Sequence, residues 1–420
     1  MSLLAPYRVL DFTDERGIAA GRWLADLGAD VIQVEPPGGA SGRAAGRPPG
    51  ATGVPPFWTA YTHNKRSITC DISSPEGAEL ATRLIGRADI MIENAGPGVL
   101  SRYGLGYDQL RDLRPELIYV SITPFGPGGP KAGYHDSDLV LWAAGGALNA
   151  NLSAGRPATR VSAPMQSYLH AAADAAEGAL LALTERAASG LGQRVEVSVQ
   201  ASVTIANFKL GTYALLNAPP PTGNAASGSL SPGAPLIWET KDGYVHLSLT
   251  AGPLTGHFTN TLLGWLRSQG ALSGDFPAVD YRLMPQTSGS GMTASAASAA
   301  GSTAPGVLTA DQQRQLYRAI GDFLLARTSA QLFEDSRLHG LLISPIYRVD
   351  QVMQDEQLAA RDAWFTRPHY TVPGPMGRIA GNPIEDRRPA PAPGEHNVEV
   401  YGEIGMDGDG LAALAERGVL

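Results

Sequence analysis

Four polar residues in one Ala-rich stretch have the right types for chemistry. In SAPMQSYLHAAADAAEGALLAL, residues 162–183, Ser167, His170, Asp174 and Glu177 recur at steps of three, four and three. On a helix that spacing puts all four on one face. A hydroxyl, an imidazole and a carboxylate are the parts of nucleophilic or acid/base catalysis. The i, i+3, i+7 spacing permits contacts between neighbours, although a triad built on a single helix is an uncommon construction. The plainer account is a structural hydrogen bond between His170 and Asp174 on a helix that faces a partner chain.

Other chemistries find less support. The eight histidines are scattered and form neither H-x-x-x-H nor H-E-x-x-H, so no metal site is expected. The single cysteine, Cys70, excludes internal disulfides and sits in the alternating run RSITCDI, where a buried structural thiol is the better reading. A net charge of −8 gives no electrostatic support for nucleic-acid binding, though it leaves room for a local basic pocket. The first loop, DFTDERGIAAG, lacks G-x-G-x-x-G, which removes the mechanism for a nicotinamide dinucleotide. PFGPGGPKAG (124–133) is Gly-rich without being a P-loop, and better suits a loop shaping a pocket. The start MSLLAPYRVLDF has no basic n-region before an apolar run, and no run is long enough to span a membrane. A soluble cytoplasmic protein is the expectation.

The elements that must position these residues alternate along the chain. Strands are predicted at Tyr7–Phe12, Ala29–Glu35, Ser67–Ile72, Asp89–Asn94 and Glu116–Thr123, with helices at Gly17–Gly28 and around GAELATRLIGRA between them. This is the grammar of βαβ units and a largely parallel sheet, in which ligands lie beyond the strand C-termini. At 420 residues, two domains are expected. Residues 219–235 read as a Pro/Gly/Ser-rich linker, IWETKDGYVHLSL (237–249) as a hairpin turning at Asp242-Gly243, and 287–306 as low-complexity chain. Helices are predicted near 254–269 and 310–328.

The motif series GADVIQVEPPGGASGR, NKRSITCDI, ADIMIENAGPGVLSRYGLGYDQLRDLRPELIYVSITPFGPGGP, SDLVLWAAGG, GLGQRVEVSVQAS and APAPGEHNVEVYGEIG resembles that of the family III CoA-transferases, in order over nearly the whole chain. The resemblance implies a Rossmann-like large α/β domain (1–218, completed by 331–420), a smaller inserted α+β domain (236–330), and an interlocked dimer. It implies coenzyme A or acyl-CoA as substrate, with a carboxylic acid as the second partner. Carried over residue by residue, Arg43, Lys65, Arg66, Asn94 and Arg102 become candidates for the CoA nucleotide, phosphates and pantetheine. His135 falls near the thioester. For Arg43 a solvated surface arginine, and for His135 a solvated loop histidine, remain open.

The resemblance also exposes a departure. Family transferases open the helix of residues 162–183 with an aspartate whose carboxylate attacks the thioester, in a pattern like PxxD. Here APMQS puts Ser167 in that place. A serine cannot form the aspartyl-CoA species and leads toward an acyl-ester. Three readings stay open. Another acid (Asp174, Asp136 or Asp138) serves in a working transferase. Ser167, His170 and Asp174 act on the thioester in acid/base or acyl chemistry, including a racemase or isomerase type of proton transfer. Or the chain is a CoA-binding subunit that pairs with an Asp-bearing relative.

Overall fold

The computed structural model describes residues 2–44, 55–148, 165–207, 235–283, 308–375 and 377–420. Residues 219–234 of the predicted linker and the whole 287–306 segment lie outside them. The chain divides into two units, Met1–Ala147 with Val161–Ala206 and Glu356–Leu420, and Leu148–Arg160 with Asn207–Asp355.

The first unit is built on a parallel sheet. Its strands are β1 (Arg8–Asp11), β2 (Asp30–Glu35), β3 (Arg66–Thr69), β4 (Ile90–Glu93), β5 (Ile118–Thr123) and β6 (Arg194–Ser198), in the order β3-β2-β1-β4-β5-β6. Between them run the helices α1 (Ile18–Asp26), α2 (Pro56–Thr62), α3 (Pro75–Ile85), α4 (Tyr107–Leu113), α5 (Asp138–Ala144) and α6 (Gln166–Ser189). All five strand pairings are parallel. The order reverses between β1 and β4, which opens a crevice at their C-terminal ends. Strands β3, β4 and β5 are buried along their full length, as continuous apolar or satisfied runs must be when helices cover both faces.

Alternate residues feed two cores. Val9, Val31, Ile90, Ile92, Val120 and Ile122 face α1 and α6. Leu10, Ile32, Ile68, Met91 and Tyr119 face α3 and the C-terminal segment. Helix α6 buries six alanines, among them Ala171, Ala175 and Ala179, so it can lie close to the sheet. At Gly178 a Cβ would stand 2.6 Å from Val195 Cγ1, so this contact requires glycine.

The C-terminal segment closes the open edge of β3, the standard hazard of an edge strand. Ser67 N–H donates to His396 Nδ1 (3.2 Å), Thr69 N–H donates to Asn397 Oδ1 (2.9 Å), and the Tyr401 hydroxyl donates to Thr69 O (2.8 Å). Upstream, His63 Nδ1 meets Asp386 Oδ1 at 3.0 Å. Burial lowers the pKa of both His63 and His396 below the ordinary 6.5. The unfolded chain therefore takes protons that the folded one resists. Stability present above about pH 6.5 should fall as pH drops toward the folded values. Denaturant midpoints measured between pH 7.5 and 5.5 check this, and His396→Asn, which keeps an acceptor, should flatten the profile.

The second unit pairs β7 (Ile237–Glu239) with β8 (Tyr244–Leu247) in an antiparallel hairpin, and β8 with β9 (Ile343–Pro345). Helices Gly256–Ser268, Ala310–Leu325 and Ser329–His339 complete it. Its own core gathers Trp238, Val245, Leu263, Trp265, Ile320 and Leu332. Because β9 joins β8, this unit runs on to Asp355, and the return to the first unit starts at Glu356 rather than at 331.

Candidate active site

The crevice end of the sheet carries a connected polar network. Beyond β1, Asp14 N–H donates to Asn94 Oδ1 (3.1 Å), and Asn94 Nδ2 returns a bond to Asp14 Oδ1 (2.5 Å). Asn94 follows β4 directly, so the sheet register itself brings the two loops together. Arg16 Nη2 meets Asp14 Oδ2 at 2.7 Å and Arg16 Nη1 faces Asp136 Oδ1 at 3.6 Å. Burial works to raise Asp14, but the hydrogen bonds from Arg16 and Asn94 outweigh it and hold the carboxyl below its usual value. The Tyr168 hydroxyl donates to Asp136 Oδ2. Burial first, and that bond second, push the phenol up, so it stays a donor.

Ser167 lies beside this network, fully buried in the first turn of α6. Its N–H and its hydroxyl both donate to Asp138 Oδ1, at 2.9 and 2.7 Å. Local sequence explains the arrangement. Met165 stands at the N-cap of α6 with φ 66° and offers no side-chain acceptor. An orphan N–H at a helix start needs a partner, and Asp138 supplies it from the start of α5, itself capped by Ser137 Oγ accepting from Val140 N–H at 3.3 Å.

The structure does not bring Ser167, His170 and Asp174 together. His170 sits edge-on to Trp142, ring centroids 6.0 Å apart, while Asp174 and Glu177 are exposed. Among the described residues no hydrogen bond joins any two of the three. The stripe exists, but its cover falls away along the helix: Ser167 is buried, His170 half-buried, and Asp174 and Glu177 exposed.

The predicted anion-binding residues separate sharply. Lys65 is fully buried and donates to Asp11 Oδ2 (2.7 Å), Ile18 O (2.8 Å) and Gln33 Oε1 (2.9 Å), which uses all three of its protons. Arg66 is committed to Asp30, Glu399 and Glu403. Arg43 makes a two-pronged pair with the buried Glu35, with both bonds at 2.6 Å, and lies over Trp58. Each of these three cations is paired within the fold. Asn94 is tied to Asp14 at the crevice. Arg102 is exposed, and its guanidinium has no partner among the described residues. It follows the turn formed by Gly96 (φ 101°) and Gly98 (φ 70°) after β4. Near that turn a small polar cavity of about 70 Å³ is lined by Glu93, Ser121, Tyr119 and Arg194. His135 is exposed next to Asp136.

Sequence reasoning misses Asp14, Arg16 and Tyr168 as site residues. It weighs the loop after β1 only for its glycines, yet the place of that loop at a strand C-terminus is itself a signal. Among the described residues no group of three His, Cys, Asp or Glu side chains could hold a metal ion.

Comparison with known proteins gives this geometry a family. The family model described as CoA-transferase family III matches residues 4–269 and 292–397. The formyl-CoA:oxalate CoA-transferase of Streptomyces avermitilis is 29% identical, covering 98% of this chain and 98% of its own. Subunit BbsE of the succinyl-CoA:(R)-benzylsuccinate CoA-transferase of Thauera aromatica is 29% identical, covering 99% and 97%. A CAIB/BAIF family protein from Brucella suis shares the fold, with a TM-score of 0.79 at 24% identity, over 96% of this chain and 99% of that one. With the family model matched along most of its length, this chain belongs to CoA-transferase family III.

Proposed function

We propose that the protein is an enzyme that moves CoA between an acyl-CoA thioester and a free carboxylic acid. Family membership supports the reaction class, and relatives of this family carry names such as formyl-CoA:oxalate and succinyl-CoA:(R)-benzylsuccinate CoA-transferase. The observation that carries the reading is the Asp138 carboxylate held against the first turn of α6. Position 167 carries no acid, and yet a carboxylate still stands within a hydrogen bond of it. Acyl exchange through a carboxylate conserves thioester energy that hydrolysis would waste.

For the anionic nucleotide of CoA we assign Arg102, which alone of the four predicted cations has no side-chain partner among the described residues, together with Asn94, tied to Asp14 by hydrogen bonds, and the exposed His135, next to Asp136 in sequence. We place the enzyme in the cytoplasm as an interlocked dimer. Among the described residues no helix is long and apolar enough to cross a membrane. A second reading, a CoA-binding subunit that completes an Asp-bearing relative, draws on Ser167 and on a relative that is itself named as a subunit.

The test is a transfer assay on the purified protein with formyl-CoA and succinyl-CoA as donors and a panel of mono- and dicarboxylic acids as acceptors, read by chromatography of the CoA esters. New acyl-CoA formed by this chain alone supports the first reading. CoA binding without transfer, with activity only after a relative is added, supports the second. Arg102→Ala should raise KM for the acyl-CoA about tenfold, the worth of one charge-assisted hydrogen bond. Its kcat and Tm should stay near wild type.

A further inference from the structure

Three acids come into question for the work that Ser167 cannot do. Asp174 is exposed two turns along α6, away from the buried Ser167. Asp136 has both oxygens engaged, one facing Arg16 at 3.6 Å and the other accepting the Tyr168 hydroxyl. A carboxylate matched to a guanidinium and a phenol is a weak nucleophile. Asp138 differs from both. Its Oδ1 takes the two donors of Ser167, which fixes the carboxylate plane, and its Oδ2 accepts no hydrogen bond among the described residues. Asp138 is half-buried, so the residue is not sealed from solvent.

We infer that Asp138 is the nucleophile of this chain and that Ser167 is its positioning residue. The inference rests on the CoA-transfer reading above and names the group that performs it. Asp138 Oδ2 attacks the thioester carbonyl carbon. The C–S bond breaks, its electron pair leaves on CoA as the thiolate, and a mixed anhydride forms between Asp138 and the acyl group. The thiolate then attacks the Asp138 carbonyl carbon. The donor acid departs as its carboxylate, and Asp138 becomes an aspartyl-CoA thioester. The acceptor carboxylate repeats the two steps in reverse order, which releases the new acyl-CoA and frees Asp138. No proton, water or oxidant is consumed. A reaction through the Ser167 hydroxyl would need a base to remove its proton, and the carboxylate it is bonded to is Asp138 itself.

Asp138 also caps α6, so the test must separate the two roles. Asp138→Asn keeps a carbonyl oxygen for both Ser167 donors and removes the nucleophile. The full-length protein is incubated with succinyl-CoA, reduced with borohydride and mapped by peptide mass spectrometry. In parallel, turnover is run with an acceptor acid labelled in its carboxylate oxygens. The reduction product and the label should both appear on Asp138. Asp138→Asn should lower transfer at least about a thousandfold with the unfolding midpoint unchanged. Ser167→Ala should lower kcat roughly ten- to a hundredfold with KM near wild type, as misplacing a reacting group does.

An adduct on Asp136 or Asp174 overturns the inference, as does wild-type transfer by Asp138→Asn; either leaves CoA transfer standing. An adduct on Ser167 overturns the inference and the CoA-transfer reading together, because an acyl-serine ester leads to acyl-ester chemistry. Absence of transfer by the wild-type protein, with activity gained by Ser167→Asp, overturns both. The labelling is done on the wild-type chain, so its outcome does not depend on how any variant folds.

Discussion

Replacing Lys65 with Met is expected to destabilise the protein by about 3–5 kcal/mol, the range for removing one member of a buried ion pair. Methionine keeps most of the volume, so the loss is electrostatic and not a cavity effect. Lys65 and Asp11 are both fully buried, with Nζ 2.7 Å from Asp11 Oδ2. Burial lowers the ammonium's pKa and Asp11 works against that, which is the balance of a buried, satisfied pair. Without Lys65, Asp11 keeps only the Thr13 N–H and hydroxyl on its other oxygen, at 3.0 and 2.6 Å, and Gln33 Oε1 is left without its donor. The surroundings cannot close in: at Gly21 even a Cβ would stand 2.0 Å from Asp11 Oδ2. Urea denaturation measures the loss. Adding Asp11→Leu to Lys65→Met should recover much of it, since removing both members of such a pair is often near neutral. A phosphate-binding lysine would behave oppositely, weakening CoA binding while leaving stability within about 0.5 kcal/mol, as a surface substitution does.

That contrast shows where the sequence stops speaking. The alternation of strands and helices is legible because each element carries its own period, and β1 to β5 form where the apolar runs stand. The hairpin is legible because Asp242-Gly243 announces its turn. The partners of the basic residues are not. Arg66 is neutralised by Glu399 and Glu403, more than three hundred positions away along the chain, and nothing local to NKRSI says so. A cation in a motif therefore reads as a phosphate ligand until the return segment is folded onto β3. The stripe on α6 fails for a related reason. Periodicity assigns an angle around a helix, not a depth along it, and the stripe runs from the buried Ser167 through the half-buried His170 to the exposed Asp174 and Glu177. Asp138 stands among the acids the sequence offers, but its bond to Ser167 joins residues 29 positions apart through two helix starts. Strand β9 has three residues, too few for any pattern, which is why the sequence misplaces the end of the second unit.

Exchanging the two residues, Ser167→Asp with Asp138→Ser, is expected to recover at least about a hundredfold of the transfer activity that Asp138→Ser alone removes. The reaction needs one carboxylate in that volume, whichever backbone carries it. The exchange conserves volume across a contact of 2.7 Å, and volume-conserving swaps are the best tolerated in packed surroundings. The new hydroxyl at position 138 can still accept the N–H of residue 167, so the start of α6 keeps a partner. Ser167→Asp on its own is a different matter. It forces a second carboxylate into a site where Ser167 is fully buried, directly against Asp138. Like charges at that range cannot both ionise freely, so one carboxyl pKa must rise. The expected signature is an acid limb in the kcat profile displaced toward neutral pH, absent from wild type and from the exchanged pair. If the exchanged protein stays as inactive as Asp138→Ser, the carboxylate is tied to the backbone of α5, and position 167 serves this chain only by holding it.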